Sequence, residues 1–327
     1  MKASVYTRYG PPSVLTVKTI ARPVPQANEV LIRVHATTVN RTDCARLRAK
    51  PFIMRFFTGF LRPTRPVPGT DFAGQITAIG ENVTAFAVGD RVFGFNDQGV
   101  SSQATYMTIA ADEALAVIPA NVSYAQAAAS LEGVHYAYNF IKKVAIAPGQ
   151  KILVNGATGA IGSATVQLLK YWGVVVTAVG NTKNLALVQS LGATRVIDYT
   201  QTDFTRDAEK YACVFDTVGK SSFFKCKPLL QSGGVYISSE LGWLAQNVFL
   251  ALVTPWLGGR KVIFPIPTDV KGSIALIKKL LEEGHFLPVI DRTYPLEAIA
   301  DAYRYVETGE KTGNVVLLIG EDGDEES

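Results

Sequence analysis

Hydrophobic residues in the first third of the chain fall into short runs that are typical of β-strands. Val30–Val34 is one such run, and clusters of proline and glycine such as Pro66–Gly69 interrupt the pattern. Short alternating runs between such breakers predict strands joined by tight turns. We therefore expect residues 1–121 to form a compact, mostly antiparallel β-domain.

The pattern changes between Tyr124 and Leu281, where buried-type strands alternate with runs of helical period. Strands are predicted at 151–155, 174–179, 195–198, 214–216 and 234–238, with helices at 161–172 and 183–191. This alternation predicts parallel βαβ units wound on one sheet. After Pro288, a short helix around Leu296–Tyr305 and a strand at Asn314–Ile319 should return to the first domain. The expected fold is α/β, with one domain of residues 1–121 and 288–327 and a doubly wound domain of residues 122–287.

Length and composition agree with two globular domains. A chain of 327 residues exceeds one ordinary core, and 48% hydrophobic with 18% charged residues is usual for a globular protein. The net charge of +4 includes five acids in the tail Glu321–Ser327, which we expect to be a frayed end. Basic residues are spread along the body, so no nucleic-acid partner is expected.

Cysteine usage favours a reducing, cytoplasmic compartment. The three cysteines (Cys44, Cys213 and Cys226) have no C-x-x-C spacing, and the first residues contain no apolar signal segment. The longest apolar stretch, at about 247–257, is interrupted and too short to cross a bilayer, so no transmembrane segment is expected. For Cys44, an inert packing role is favoured over a reactive thiol.

The strongest motif is a glycine-rich turn directly after the predicted strand at Lys151–Asn155. Its glycines lie three residues apart and open a helix. This arrangement is typical of the turn that binds the pyrophosphate of a dinucleotide at a helix N-terminus. The candidate cofactor-binding residues here are Gly156, Thr158, Gly159, Ala160, Ile161 and Gly162.

The end of the following strand predicts which dinucleotide binds. An NAD site usually places an acid there for the ribose 2′-hydroxyl, but Gly180 occupies that position and residues 177–184 contain no acid. Lys183, helped by Asn181 and Thr182, is suited to a 2′-phosphate instead. The alternative is that Lys183 is simply a solvated lysine. NADPH is favoured.

Several of these segments together resemble the medium-chain dehydrogenase/reductase superfamily. The segment Pro68-Gly-Thr-Asp-Phe-Ala-Gly74, followed by Val88-Gly-Asp-Arg-Val92, is similar to its signature, which normally begins Gly-His-Glu. The glycine-rich turn, Val196–Tyr199, Phe215–Gly219 and the closing Gly313–Val316 are similar as well. The resemblance covers essentially the whole chain and implies a GroES-like β-domain, a Rossmann domain and a cofactor in the cleft between them.

The departures from the family pattern concern zinc. Where the zinc alcohol dehydrogenases of this superfamily have the Cys, His and Cys that hold the catalytic metal, this chain has Asn40, Thr70 and Glu132. The four-cysteine cluster for a structural zinc is also missing. Glu132 and His135 alone would make a poor site, so no metal is expected. Without a Lewis acid to stabilise an alkoxide, hydride transfer to a conjugated acceptor is the easier chemistry.

The segments Glu132–Tyr136, Gly219–Phe223 and Val289–Glu297 resemble the zinc-free quinone oxidoreductase branch. That resemblance implies a role for each matching residue. Asn40 would lie near the acceptor oxygen, and Tyr136 would flank the nicotinamide. Further cofactor-lining positions are Tyr199 at the 2′-phosphate, Thr217, Val218 and Asn314.

The proton needed in an enone reduction is expected from water, Tyr136 or His135, and for His135 a supporting role in the cleft is equally favoured. The hypothesis is thus an NADPH-dependent oxidoreductase that transfers hydride to a quinone or an α,β-unsaturated carbonyl compound. The alternatives are a metal-free ketone or alcohol oxidoreductase, and a cofactor-binding accessory protein with little turnover.

Two aromatic segments remain open to several interpretations. Residues 46–65 would form a lid over the acceptor, residues 243–256 would line the pocket or a dimer contact, and ordinary packing explains either nearly as well. A minor alternative is that a basic and aromatic strip rests on a membrane surface. A homodimer is expected.

Overall fold

The computed structural model describes residues 1–238 and 240–320. The acidic tail Glu321–Ser327 lies outside the described residues, and so do the side chains of Ile53 and Phe57.

The strands are β1 (Lys2–Val5), β2 (Thr16–Thr19), β3 (Glu29–Val39), β4 (Asp71–Ile79), β5 (Arg91–Phe95), β6 (Tyr106–Ala110), β7 (Leu115–Val117), β8 (Lys151–Asn155), β9 (Val175–Gly180), β10 (Arg195–Asp198), β11 (Tyr211–Asp216), β12 (Leu230–Ser238), β13 (Lys261–Ile263), β14 (Ile290–Pro295) and β15 (Asn314–Leu318). The α-helices are α1 (Arg41–Arg48), α2 (Arg55–Thr58), α3 (Tyr124–Ala129), α4 (Leu131–Ile141), α5 (Ala160–Tyr171), α6 (Leu185–Ser190), α7 (Phe223–Cys226), α8 (Gln246–Val253), α9 (Val270–Glu282) and α10 (Ile299–Thr308).

The chain divides into two compact units. The first contains Met1–Leu131, Val270–Glu282 and the residues from Val289 onward, and the second contains Glu132–Asp269 and Glu283–Pro288. Helix α9 thus belongs to the first unit, where it packs against β7 and β5. Its buried face includes Ile277 and Leu280. An amphipathic period predicts such a face but does not reveal which sheet will cover it.

The first unit is built on a sheet of order β14-β15-β3-β4-β5-β7, with β6 also pairing with β3. Its pairs are antiparallel except for β14 with β15, which run parallel. Strand β3 is the centre of the unit because its aliphatic and β-branched residues are buried along most of its length. Its far end, at Val39, packs with α10 residues such as Tyr303 in one hydrophobic cluster.

The second unit contains a parallel sheet of order β10-β9-β8-β11-β12-β13. The α/β class and the doubly wound sheet expected from the sequence are confirmed. Successive strands run outward from β8 in one direction and from β11 in the other, so the order reverses between these two strands. In such sheets a ligand binds outside the carboxyl ends of the strands at this reversal.

One predicted helix differs from the structure. The stretch Lys183–Leu191 was expected to be continuous, but a 3-10 turn covers Thr182–Asn184 and α6 begins only at Leu185. The break lies at Asn184, whose backbone leaves the helical region at φ −114° and ψ 4°. Lys183 therefore lies in the turn after β9.

No helix in residues 1–238 or 240–320 has both the length and the apolar character that a membrane crossing requires.

Candidate cofactor and active site

The turn after β8 is shaped by glycine at each of three positions, for different reasons. Gly156 has φ +80°, and a Cβ there would lie 2.8 Å from Cβ of Val218. Gly162 lies in the first turn of α5, and a Cβ there would lie 2.1 Å from the carbonyl oxygen of Gly156. The fold itself requires glycine at these two positions, because neighbouring atoms of the protein leave no room for a Cβ.

Gly159 differs, since a Cβ built there would meet only the Gly156 carbonyl oxygen, at an ordinary 3.7 Å. Gly159 is also the N-cap of α5, and no side chain caps this end of the helix. Ala160 and Ile161 follow it as the first helical residues. An open approach to a helix N-terminus without a side-chain cap suits an anionic group, so the space beside Gly159 fits a pyrophosphate.

The neighbouring strand end holds this turn in place. Thr217, directly after β11, donates its hydroxyl to the carbonyl oxygens of Asn155 at 2.8 Å and Gly156 at 3.2 Å. Val218 provides the close contact with Gly156 described above. Thr217 and Val218 therefore position the turn whether or not they also touch a cofactor.

Sequence reasoning missed Asp216, the last residue of β11. It is 1% exposed and accepts hydrogen bonds from the amide of Asn155 at 3.0 Å, the backbone N–H of Gly219 at 3.0 Å and the hydroxyl of Tyr236 at 2.9 Å. A buried carboxylate needs such donors to replace water. The signals in the sequence were a single acid at the end of an otherwise apolar strand and its place in the family-like segment Phe215–Gly219.

The predicted 2′-phosphate residues lie where β9 and β10 end side by side. Gly180 pairs with Asp198, and the backbone N–H of Tyr199 donates to the Gly180 carbonyl oxygen at 3.1 Å. The side chains of Lys183 and Tyr199 are exposed. Asn181 Oδ1 is buried and has no hydrogen-bond partner within the protein. This orphaned acceptor marks a place where a ligand donor would be accommodated.

Asp198 is the acid that the sequence argument overlooked, because it stands on β10 rather than at the end of β9. It accepts the hydroxyl of Thr182 at 2.5 Å and that of Thr200 at 2.7 Å. These bonds, with that of Thr182 the most important, lower the pKa of Asp198 and keep it charged. Because Thr182 donates its one hydroxyl proton to Asp198, of the residues predicted at the 2′-phosphate only Lys183 offers a positive charge.

In the second unit, α4 presents several polar side chains at helical spacing. The Asn139 amide Nδ2 lies 3.3 Å from His135 Nδ1, and its Oδ1 accepts the backbone N–H of Asp269 at 3.0 Å. His135 is 1% exposed, and Tyr136 is half-buried with its ring edge-on to it, the centroids 5.6 Å apart. This geometry favours a supporting role for His135 and leaves Tyr136 the more accessible of the two.

In the first unit, Asn40 lies between β3 and α1, where it is the N-cap of the helix. Its backbone N–H donates to Asp43 Oδ2 at 2.8 Å, and its amide Nδ2 donates to Thr38 Oγ1 at 2.6 Å. The hydroxyl of Thr38 in turn donates to Asp71 Oδ2. In this series of hydrogen bonds each donor meets an acceptor. The bonds therefore fix the orientation of the Asn40 amide group.

Asp71 is buried and was not singled out by the sequence argument. Its Oδ1 accepts the backbone N–H of Thr38 at 2.7 Å and the hydroxyl of Thr37 at 3.1 Å. Burial raises the pKa of Asp71 to about 6, although the hydrogen bonds from Thr38 and Thr37 oppose the rise. Burial also raises the pKa of Asp43, and the charge of Asp71 adds to that effect.

Two of the three positions aligned with the family's zinc ligands carry poor donors for that ion. Asn40 and Thr70 offer an amide and a hydroxyl, and Thr70 Oγ1 is buried without a hydrogen-bond partner. Glu132 belongs to the second unit, on α4. Among residues 1–238 and 240–320, no group of three His, Cys, Asp or Glu side chains is arranged to hold a metal. The chemistry of these donors does not fit a Zn²⁺ site.

The remaining predicted site residue, Asn314, is buried at the start of β15. It donates from Nδ2 to the carbonyl oxygen of Val289 at 3.1 Å. Val315 pairs with Val39, so Asn314 lies at the end of β15 that adjoins the Asn40 end of β3.

All three cysteines are buried. Cys44 lies on α1 with Sγ 3.9 Å from the carbonyl oxygen of Tyr303. Burial raises the pKa of the Cys44 and Cys213 thiols far above the usual value and that of Cys226 to about 11. These thiols are protonated at neutral pH, as expected for packing residues.

Two family models match the sequence. The alcohol dehydrogenase GroES-like domain matches residues 26–129, and the zinc-binding dehydrogenase model matches residues 191–317. The chain is 32% identical to 2-methylene-furan-3-one reductase of Solanum lycopersicum over 97% of this chain and 79% of that protein. It is 31% identical to the chloroplastic NADPH-dependent alkenal/one oxidoreductase of Arabidopsis thaliana, over the same shares. Quinone oxidoreductase of Homo sapiens is 28% identical over 98% of both chains.

Solved structures share the fold. Quinone oxidoreductase from Coxiella burnetii superposes with a TM-score of 0.86 at 23% identity, covering 98% of this chain and 99% of that one. Escherichia coli quinone oxidoreductase complexed with NADPH gives 0.81 at 22% identity, covering 97% and 100%.

The glycine-rich turn gives a matched pair of variants. Gly162→Ala should lower the free energy of unfolding by about 1–3 kcal/mol, since its methyl group would meet backbone atoms. Gly159→Ala should cost less than about 1 kcal/mol but weaken NADPH binding about tenfold or more, because the methyl group would occupy the open approach. Chemical denaturation and NADPH titration measure the two effects. Unchanged NADPH affinity in Gly159→Ala would remove this glycine from the cofactor site.

Proposed function

The protein belongs to the medium-chain dehydrogenase/reductase superfamily, in its quinone oxidoreductase branch, and from that premise we propose that it is a zinc-independent, NADPH-dependent reductase of quinones or α,β-unsaturated carbonyl compounds. Relatives at 31–32% identity bear the names of enone reductases, and one of them is named as NADPH-dependent. The observation that carries the proposal is that the dinucleotide turn is complete, whereas two of the three metal-ligand positions hold an amide and a hydroxyl. No separate metal-dependent step is then needed.

Bound NADPH would supply the hydride. The turn around Gly159 would hold its pyrophosphate at the N-terminus of α5, and Lys183 with Tyr199 would hold its 2′-phosphate. Tyr136 would flank the nicotinamide, in keeping with its half-buried ring on α4. These assignments use side chains that the protein already holds in place or leaves open.

Asn40 would orient the acceptor by donating a hydrogen bond to its oxygen. One N–H of its amide is committed to Thr38 at 2.6 Å, which leaves the second N–H of Nδ2 for the acceptor. A neutral amide stabilises developing negative charge less than a metal ion does. It therefore suits quinones and enones, which spread that charge by conjugation, better than simple ketones.

We also propose a homodimer. β13 is the last strand in the order of the parallel sheet, and α8 packs beside it. Next to them, Trp243, Leu252 and Trp256 are all more than two-thirds exposed, and residues 241–259 contain no charged residue. A sheet edge beside a neutral apolar surface fits protein association, and a mass of twice the chain by light scattering is the expected result.

Turnover assays test the proposed function. NADPH oxidation should be measurable with at least one quinone or enone, slower with simple ketones, and unchanged after treatment with a strong chelator. Metal analysis of the same preparation should find no stoichiometric zinc. Activity that is lost with the metal and restored by zinc would refute zinc independence. Tight NADPH binding without turnover by any acceptor would instead indicate an accessory protein.

The cofactor preference has its own test at Lys183. Lys183→Ala should weaken NADPH binding by roughly tenfold or more, since a charge-assisted hydrogen bond to the 2′-phosphate is lost. NADH binding should hardly change, and Lys183→Arg should retain most of the NADPH affinity. Fluorescence titration of both cofactors measures this. Equal effects of Lys183→Ala on NADPH and NADH would contradict the assignment.

The hydrogen bonds that join Asp71, Thr38 and Asn40 predict that kcat depends on pH. Because the pKa of Asp71 is raised to about 6, its carboxylate accepts the Thr38 hydroxyl above that pH and becomes protonated as pH falls through it. The orientation of Asn40 should then be lost, so kcat should decline below about pH 6 while NADPH affinity stays constant.

Two variants distinguish titration of Asp71 from titration of the nearby Asp43, whose pKa is also raised. Thr38→Val and Asp71→Asn should each lower kcat about tenfold, with less than additive effects when combined. In both variants the decline of kcat below about pH 6 should be absent. An Asp43→Asn variant that removes the decline while Thr38→Val retains it would assign the titration to Asp43 instead.

A further inference from the structure

An exposed aromatic cluster stands on the first unit, in a segment that none of the proposed chemistry uses. We call residues 50–65 the basic-aromatic loop. Phe52, Phe56 and Phe60 are 61%, 69% and 56% exposed, and their ring centroids lie 5.9–6.3 Å apart in edge-on pairs. Leu61 beside them is 83% exposed. Large apolar side chains grouped on a surface in this way usually mark an interaction site.

The loop is also strongly basic. No Asp or Glu occurs from Cys44 to Thr70, and the loop contains Lys50, Arg55, Arg62 and Arg65. Arg55 and Arg65 donate to the carbonyl oxygens of Phe60 and Gly99, which are neutral groups that leave both positive charges uncompensated. Lys50 and Arg62 are exposed. The aromatic cluster therefore lies within a field of positive charge.

Contacts with the rest of the first unit hold the loop in a defined shape. The hydroxyl of Tyr9 donates to the carbonyl oxygen of Gly59 at 2.6 Å and lies 2.8 Å from Thr58 Oγ1. The guanidinium of Arg55 stacks over the ring of Tyr9, 4.9 Å from its centroid. The backbone N–H of Thr64 donates to the carbonyl oxygen of Thr58 at 2.9 Å. The three phenylalanines are thus presented outward by a supported turn.

A second exposed apolar surface differs from the basic-aromatic loop in its charge. Around α8, Trp243, Phe249, Leu252 and Trp256 are also exposed, but residues 241–259 contain no charged residue. A neutral apolar surface suits a protein partner. Aromatic rings surrounded by lysine and arginine suit a membrane interface, where rings enter the headgroup region and cations meet anionic lipids.

We infer that the basic-aromatic loop docks the protein on an anionic lipid bilayer surface, with Phe52, Phe56 and Phe60 entering the headgroup region. The exposed Lys50 and Arg62 would face the lipid phosphates and carboxylates, and Arg55 and Arg65 would add to the positive charge of the surface. The inference goes beyond the proposed function and is independent of it, because the docking requires neither cofactor nor acceptor.

Vesicle co-sedimentation without cofactor tests the inference. The full chain should bind vesicles of phosphatidylcholine in which a quarter of the lipid is phosphatidylserine, should bind pure phosphatidylcholine much less, and should dissociate at high salt. The triple variant Phe52→Ala/Phe56→Ala/Phe60→Ala should reduce binding at least tenfold. Lys50→Glu/Arg62→Glu should do the same, since each cation near an anionic surface contributes about fivefold. Phe224→Ala, which removes a phenylalanine of the second unit that is 62% exposed, should bind like the parent protein.

Three results would overturn the inference. The first is equal binding to both vesicle types, or no binding to either. The second is a triple variant that binds vesicles normally but has a higher KM for a water-soluble acceptor, which would make the loop a lid. The third is a change in the solution mass of the triple variant, which would assign the cluster to contacts between copies of the chain. Circular dichroism and thermal unfolding of each variant separate loss of docking from loss of folding.

Discussion

The second unit depends on one close approach between a helix and a strand. The N-terminal turn of α5 lies so near the end of β8 that a single methyl group at Gly162 would enter the space of the Gly156 carbonyl oxygen. This approach brings the helix dipole to the edge where the strand order reverses between β8 and β11. At the end of β11, Asp216 accepts a hydrogen bond from the Asn155 side chain, and the next residue, Thr217, bonds to the carbonyl oxygens of Asn155 and Gly156 in the same turn. The position of this helix N-terminus, the proposed phosphate site, therefore depends on the close packing of the α5 backbone on the turn after β8.

The first unit uses a buried carboxylate for a comparable purpose. Asp71 accepts hydrogen bonds from the backbone N–H and the hydroxyl of Thr38 at the end of β3. Through Thr38 it orients Asn40. In the zinc enzymes of the superfamily a metal ion would organise this region. In this chain, hydrogen bonds among side chains orient the amide of Asn40, which is aligned with one of those metal ligands. Under the proposed function, this arrangement would favour acceptors that help to stabilise their own charge.

Much of this could be predicted from the sequence, since its signals were local. The glycine spacing after a buried strand and the absence of an acid at Gly180 are properties of neighbouring residues. Asp198, Asp216 and Asp71 could not be recognised, because each acts on residues brought near by sheet register or by packing. Asp198 shows the difficulty best: it stands 18 residues after Gly180 in sequence but directly beside it in the sheet. The placement of α9 in the first unit likewise depended on which sheet covers its apolar face.

The burial of Cys44, Cys213 and Cys226 has a consequence under the proposed function, in which quinones or enones are the substrates. Such compounds are electrophiles that alkylate thiolates, and an exposed, ionised cysteine near their binding site would be consumed by the substrate itself. In this chain each sulfur is enclosed, and burial keeps it in the unreactive thiol form. The same packing that fills the two cores would thus protect the protein from alkylation by its own substrate during the proposed turnover.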